Sequence, residues 1–207
     1  MTADSPIRFR CGDLELDGRI TLPPGATRSC VVCHPHPLYG GDMHNNVVVA
    51  VCDALADAGV ATLRFDFRGV GTSEGTHSGG AAETEDAAAA VAALASASGT
   101  QPVLAGYSFG AAVALRVAAG AGASSLRAVA AIAPPLSMMD TAFASSITAR
   151  VLLVAGERDT FCPAAAFDAF VVGVRGAAAV RIAAADHFFQ GRESEVASAL
   201  TRFIAGT

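Results

Sequence analysis

The feature that most constrains the fold of this chain is an alternation. Short apolar runs at Cys30–Cys33, Val60–Phe65, Pro102–Ala105, Leu126–Ala133, Val151–Ala155 and Ala178–Ile182 are separated by longer stretches of good helix formers. Those stretches are Asn46–Ala58, Ala81–Ser98, Phe109–Ala119, Ala164–Val172 and Glu193–Ile204. A strand that is apolar along its whole length must be covered on both faces, which predicts a parallel sheet between two layers of helices. Two runs with period-two alternation precede it, Ile7–Cys11 and Leu14–Ile20, flanking Gly12-Asp13. They predict a hairpin that adds an antiparallel edge. The expected architecture is an α/β fold of about eight strands, strand 2 antiparallel to the others. Gly59 and Gly120 or Gly122 are expected as helix C-caps. In the Ala-rich stretch Ala87–Ala93, Val91 and the following Leu94 keep an apolar stripe, so it reads as a tightly packed helix. No repeat or linker interrupts the pattern, and residues 1–207 read as one domain. The weakly patterned connection Pro134–Ala149 has room for one small helix but not for a lid domain.

Composition removes several classes of function. The chain is 52% hydrophobic and 16% charged, the balance of a folded globular protein. Its net charge is −5 and no basic run occurs, so nucleic acid is not an expected partner. Every basic residue is arginine. Without lysine there is no Schiff base, no Ser–Lys dyad and no P-loop. No apolar stretch approaches the ~18 residues of a membrane helix. Met1–Arg10 contains Asp4 and Pro6 and no apolar core of a signal peptide, so a cytoplasmic location is expected. The five cysteines read as free thiols. Cys30 and Cys33 sit three apart on a strand and therefore face opposite sides, as buried small hydrophobes rather than a redox pair.

Gly106-Tyr107-Ser108-Phe109-Gly110 matches G-x-S-x-G between an apolar strand and a helix. That context makes Ser108 the candidate nucleophile, held on a strained turn with the helix N-terminus beneath it. A serine nucleophile needs a base, and only His187 follows it. His187 lies in Ala185-Asp186-His187-Phe188-Phe189, just past the last strand. Asp159, in the turn after Val151–Ala155, is the expected orienting acid, with Asp140 one strand earlier as the alternative. Asp186 is expected to shape its loop instead.

The backbone N–H of Phe109 is one expected oxyanion donor. The other falls in His34-Pro35-His36-Pro37-Leu38-Tyr39-Gly40-Gly41. Prolines have no N–H, which leaves His36 or, second, Leu38. His34 and His44 read as loop anchors rather than metal ligands. Tyr39, Met138, Met139, Phe161 and Phe188 are expected to line an apolar substrate pocket. Phe65-Asp66-Phe67-Arg68-Gly69-Val70-Gly71 lacks the third glycine of a dinucleotide loop, and Asp66 and Arg68 are expected to tie loops together.

Taken together, the His34–Asn46 run, Phe65–Gly71, Gly106–Gly110, Ile132-Ala133-Pro134-Pro135 and Ala185–Phe189 resemble a small bacterial subfamily of α/β-hydrolases without a cap domain. The resemblance spans nearly the whole chain. It implies the α/β-hydrolase fold and a Ser–Asp–His triad at Ser108, Asp159 and His187. The expected activity is hydrolysis of a small carboxylic ester through an acyl-enzyme, with no metal or organic cofactor. A thioesterase or a small-peptide or amide hydrolase would use the same triad. A ligand-binding protein without turnover is the alternative of another class. The expected partner is a small-molecule ester, and a homodimer is compatible with such a chain.

Overall fold

The computed structural model describes residues 3–207. Its strands are β1 (Ser5–Cys11), β2 (Leu14–Thr21), β3 (Ser29–Cys33), β4 (Ala61–Phe65), β5 (Val103–Tyr107), β6 (Ala128–Ile132), β7 (Val151–Gly156) and β8 (Ala178–Ile182). Its helices are α1 (Asn46–Asp57), α2 (Glu83–Ser98), α3 (Phe109–Ala119), α4 (Ala164–Gly173) and α5 (Glu193–Ala205). The strands form one sheet in the order β1-β2-β4-β3-β5-β6-β7-β8. β2 runs antiparallel to both β1 and β4, and every other pairing is parallel.

The sheet divides the apolar side chains into two cores. In β3, Val31 and Cys33 belong to one, with Val91 and Leu94 of α2, Val113 of α3 and Phe167 of α4. Cys30 and Val32 belong to the other, with Val47 and Val51 of α1 and Leu200 and Phe203 of α5. The central strands β3 to β7 are buried at every position, which accounts for their unbroken apolar runs. Each such Leu or Val contributes roughly 1.5–3 kcal/mol by leaving water. The edge strand β8 is mostly exposed, and carries Arg181 ion-paired with Asp168. A charge there discourages further strand pairing.

The helix ends are closed in two ways. Gly59 follows α1 in the left-handed region, and so does Gly99 after α2 (φ 68°). Gly120 does not. It has φ −110°, because the chain runs straight on into a 3₁₀ turn at Ala121–Ser125 instead of reversing. The connection from Pro134 to Ala149 holds one 3₁₀ turn, Ala142–Ser146, and no lid. No helix among the described residues is long and apolar enough to cross a membrane. Because the central strands are parallel, their C-terminal ends lie along one edge, and the loops leaving that edge converge.

Candidate active site

The turn from β5 to α3 is built by exclusion of Cβ atoms. A Cβ on Gly106 would collide with the carbonyl of Gly110. One on Gly110 would lie 2.5 Å from the Cys33 carbonyl oxygen and 2.7 Å from that of His34. Both positions must be glycine for strand, helix and the neighbouring strand end to approach so closely. Between them Ser108 adopts φ 54°, ψ −113°, a conformation that costs a non-glycine residue about 1–3 kcal/mol. Its N–H donates to the Ile132 carbonyl (2.8 Å), and its carbonyl accepts from Ala111 and Ala112. The side chain is thereby held out above the end of the sheet.

His187 and Asp159 meet it there. His187 Nε2 lies 2.9 Å from Ser108 Oγ, and His187 Nδ1 lies 2.9 Å from Asp159 Oδ2. Both partners are buried, Asp159 at 4% exposure and His187 at 7%. Asp159 Oδ1 also accepts the N–H groups of Phe161 (2.8 Å) and Cys162 (2.9 Å), so the carboxylate is clamped on both oxygens. Asp140 lies elsewhere, exposed and accepting the N–H of Ala142.

The loops after β7 and β8 are stitched together. Arg158 N–H donates to the Ala185 carbonyl (2.8 Å), and Glu157 accepts the N–H of Ala184 (3.0 Å), which sits at φ 58°. A Cβ on Gly156 would strike the Ala185 carbonyl, so this glycine sets how closely the His187 loop approaches β7. Asp186 accepts the N–H of Phe188 (2.9 Å) and shapes the loop on either side of His187. Tyr107 is a further member that sequence reasoning did not single out. Its buried hydroxyl donates to the His187 carbonyl.

On the other side of Ser108, the loop after β3 turns through a 3₁₀ segment, Pro37–Tyr39. The Leu38 N–H donates to His36 Nδ1 (3.2 Å), which removes Leu38 as an oxyanion donor. Among the described residues no protein acceptor takes the N–H of His36 or of Phe109. The ring of His36 packs 4.9 Å from that of Phe109, which brings the two segments together. His34 is fully buried. Its Nδ1–H donates to the Pro35 carbonyl (2.6 Å) and its Nε2 accepts the N–H of Phe67 (3.1 Å), so neither nitrogen is left for a metal. Burial lowers its pKa to about 4. Asp66 accepts the N–H of Met43, and Arg68 pairs with buried Asp86 at 2.7 Å.

A cluster beside His36 carries no sequence motif. Glu83, at the start of α2, is buried and accepts Ser78 N–H, Ser78 Oγ–H and Gly80 N–H. Burial works to raise its pKa, but these hydrogen bonds outweigh it and hold the carboxyl below its usual range. His77 Nδ1 lies 2.8 Å from Glu83 Oε1, outside hydrogen-bond geometry.

The residues expected to line a pocket separate. Phe161 and Phe188 flank His187, with ring centroids 4.7 and 5.7 Å from the imidazole. Tyr39 lies across the site against His36, at 4.9 Å, and is highly exposed. Met138 points to solvent, whereas Met139 packs on the core. The aromatic side chains therefore form an open shelf rather than an enclosed chamber.

A mostly parallel eight-stranded sheet, helices on both faces and a serine on the turn after its central strand β5 define an α/β hydrolase without a lid. Residues 26–146 match the family model described as serine aminopeptidase, S33, and the chain belongs to that family. It is 32% identical to an α/β serine hydrolase homologue from Coxiella burnetii, covering 99% of each chain with a TM-score of 0.87. It is 28% identical to a lidless α/β serine hydrolase from Xanthomonas campestris, covering 100% of this chain and 98% of that one, TM-score 0.84. An uncharacterized protein of Rickettsia prowazekii is 42% identical over 89 residues, a match that spans 42% of this chain and 37% of that relative. The protein is a hydrolase.

Proposed function

We propose that the protein hydrolyses small carboxylic esters by acyl transfer through Ser108, His187 and Asp159. The observation that carries this reading is the unbroken chain from Asp159 Oδ2 to His187 and on to Ser108 Oγ, both links 2.9 Å. Ser108 Oγ attacks the ester carbonyl carbon as its proton passes to His187 Nε2. The negative charge that develops on the carbonyl oxygen is received by the N–H groups of Phe109 and His36, both without a protein acceptor among the described residues. Collapse expels the alcohol, which takes the proton from His187 and leaves Ser108 acylated. Water, deprotonated by His187, then attacks the acyl-enzyme, releases the carboxylic acid and restores Ser108. Asp159 fixes the tautomer with Nδ1–H facing it and stabilises the imidazolium between these steps. The rest of the site favours an uncharged substrate, since the shelf beside His187 is apolar and open.

The test is turnover of p-nitrophenyl acetate and butyrate by wild type and Ser108→Ala, together with labelling by a fluorophosphonate probe. Loss of both turnover and labelling in the variant is the expected result. Equal rates in the two proteins would rule the assignment out, and a wild type that neither turns over nor labels would favour a ligand-binding role. Thioester and amide substrates in the same panel separate the activities that share this triad.

A further inference from the structure

We propose that Phe161 and Phe188 form a clamp for the leaving-group alcohol and make the enzyme selective for apolar, above all aromatic, alcohols. This rests on the triad reading above: the imidazole that hands a proton to the departing oxygen must lie beside the alcohol half of the substrate, so its flanking side chains meet that half. Phe161 approaches the His187 ring at 4.7 Å with planes at 50°, and Phe188 at 5.7 Å with planes at 87°. Two rings thus stand on the imidazole, neither stacked flat on it, and leave apolar faces turned outward.

Folding does not account for them. Phe161 is 39% and Phe188 62% exposed, and neither belongs to the two apolar cores. Large aromatic side chains left in water around a reactive group mark a binding surface. They are also fixed in place. The N–H of each is bonded to an aspartate two residues earlier, Asp159 for Phe161 (2.8 Å) and Asp186 for Phe188 (2.9 Å). The Phe161 carbonyl accepts both the N–H and the hydroxyl of Ser137, at 3.1 and 3.0 Å. Backbones held this way lose little entropy when a ligand settles against the rings. The chemistry of the clamp is specific as well. Aromatic rings meet edge-to-face and offset geometries that a benzyl group can supply on both sides. The exposed carboxylate of Asp186, next to Phe188 in the loop, opposes an anionic leaving group such as a phosphorylated thiol.

The experiment compares benzyl acetate with methyl acetate, whose alcohols are similarly acidic, so that their ratio of kcat/KM reports binding of the leaving group rather than its chemical reactivity. Wild type is expected to favour the benzyl ester at least about tenfold. In Phe161→Ala/Phe188→Ala the ratio should fall to near unity, and in Phe188→Leu it should fall only part of the way. The ratio is read within each protein, so a loss of folded or active enzyme cancels. A wild-type ratio near unity, or an undiminished ratio in the double variant, overturns the clamp. If Ser108 labels with fluorophosphonate and methyl acetate is turned over without a benzyl preference, the clamp alone has failed. If neither ester is cleaved and Ser108 does not label, the triad reading has failed with it.

Discussion

The hydroxyl of Tyr107 donates a 2.8 Å hydrogen bond to the backbone carbonyl of His187, tying the residue before Ser108 to the loop that carries the imidazole. The two rings also lie 5.7 Å apart. Burial, with the nearby charge of Asp159, raises the Tyr107 pKa, so the hydroxyl stays protonated and remains a donor. Tyr107→Phe keeps the ring and removes only that donor. An orphaned buried carbonyl costs about 1–3 kcal/mol, and the His187 loop relaxes to avoid it. The expected outcome is a fall in kcat of roughly tenfold, with KM little changed and a matching slowing of fluorophosphonate labelling. A change confined to thermal stability, with kcat intact, would mean that the bond only braces the fold.

Asp159→Asn should fold normally and lose nearly all activity. The reason lies in the two N–H groups of Phe161 and Cys162 that point at Oδ1. They hold the amide oxygen of asparagine on their side and turn its NH₂ toward His187 Nδ1. The imidazole must then accept at Nδ1 and carry its proton on Nε2, where it can no longer take one from Ser108. A drop in kcat of about 10³–10⁴ is expected from that wrong tautomer. Circular dichroism and labelling kinetics measured together separate this from misfolding.

These two residues also show how far the sequence could be read. The place of Asp159 at a strand end was legible because it follows an apolar run by one turn. Tyr107 was not, because the second position of G-x-S-x-G accepts many residues and only the folded chain brings its hydroxyl under residue 187. The strands and helices were legible for a similar reason. β3 to β7 are buried on both faces, so their apolar runs had no competing reading. Loop side chains were the hard part. Met138 and Met139 are neighbours of one type, yet one faces water and the other the core, a choice set by backbone direction in an irregular segment. Glu83 and His77 carry no spacing signal because they meet only through the turn at residues 78–80.

Gly110→Ala tests the packing at the elbow. The added methyl would stand 2.5 Å from the Cys33 oxygen and 2.7 Å from the His34 oxygen, both backbone atoms at the end of a central strand. Neither can move without disturbing the sheet. Overpacking of this kind costs about 1–3 kcal/mol or more. The variant should show a clearly lower midpoint in urea, and the forced separation of α3 from β3 should also slow labelling of Ser108. A midpoint equal to wild type would show that helix and strand can part freely.

His34 gives the fold an acid sensitivity whose sign can be worked out. Its neutral ring is required by geometry, since protonation would place a second N–H at Nε2 against the N–H of Phe67. Burial lowers its pKa from 6.5 to about 4 in the folded protein. The unfolded chain therefore binds this proton first. The contribution of His34 to stability is complete above the unfolded value and is lost as pH falls from 6.5 toward about 4. The loss reaches roughly 3 kcal/mol, at about 1.4 kcal/mol per unit of pKa difference. Asp4 and Glu83, whose carboxyls are held below their usual range, add their own losses as pH falls through their unfolded values of 3.8 and 4.5. Urea unfolding of wild type and His34→Gln across this range checks the assignment. The variant should be the less stable at neutral pH, because it loses the fit of the ring between Pro35 and Phe67. The gap should close as the pH falls, because glutamine does not titrate. A gap of constant size across the same range would mean that His34 is not the group taking up the proton.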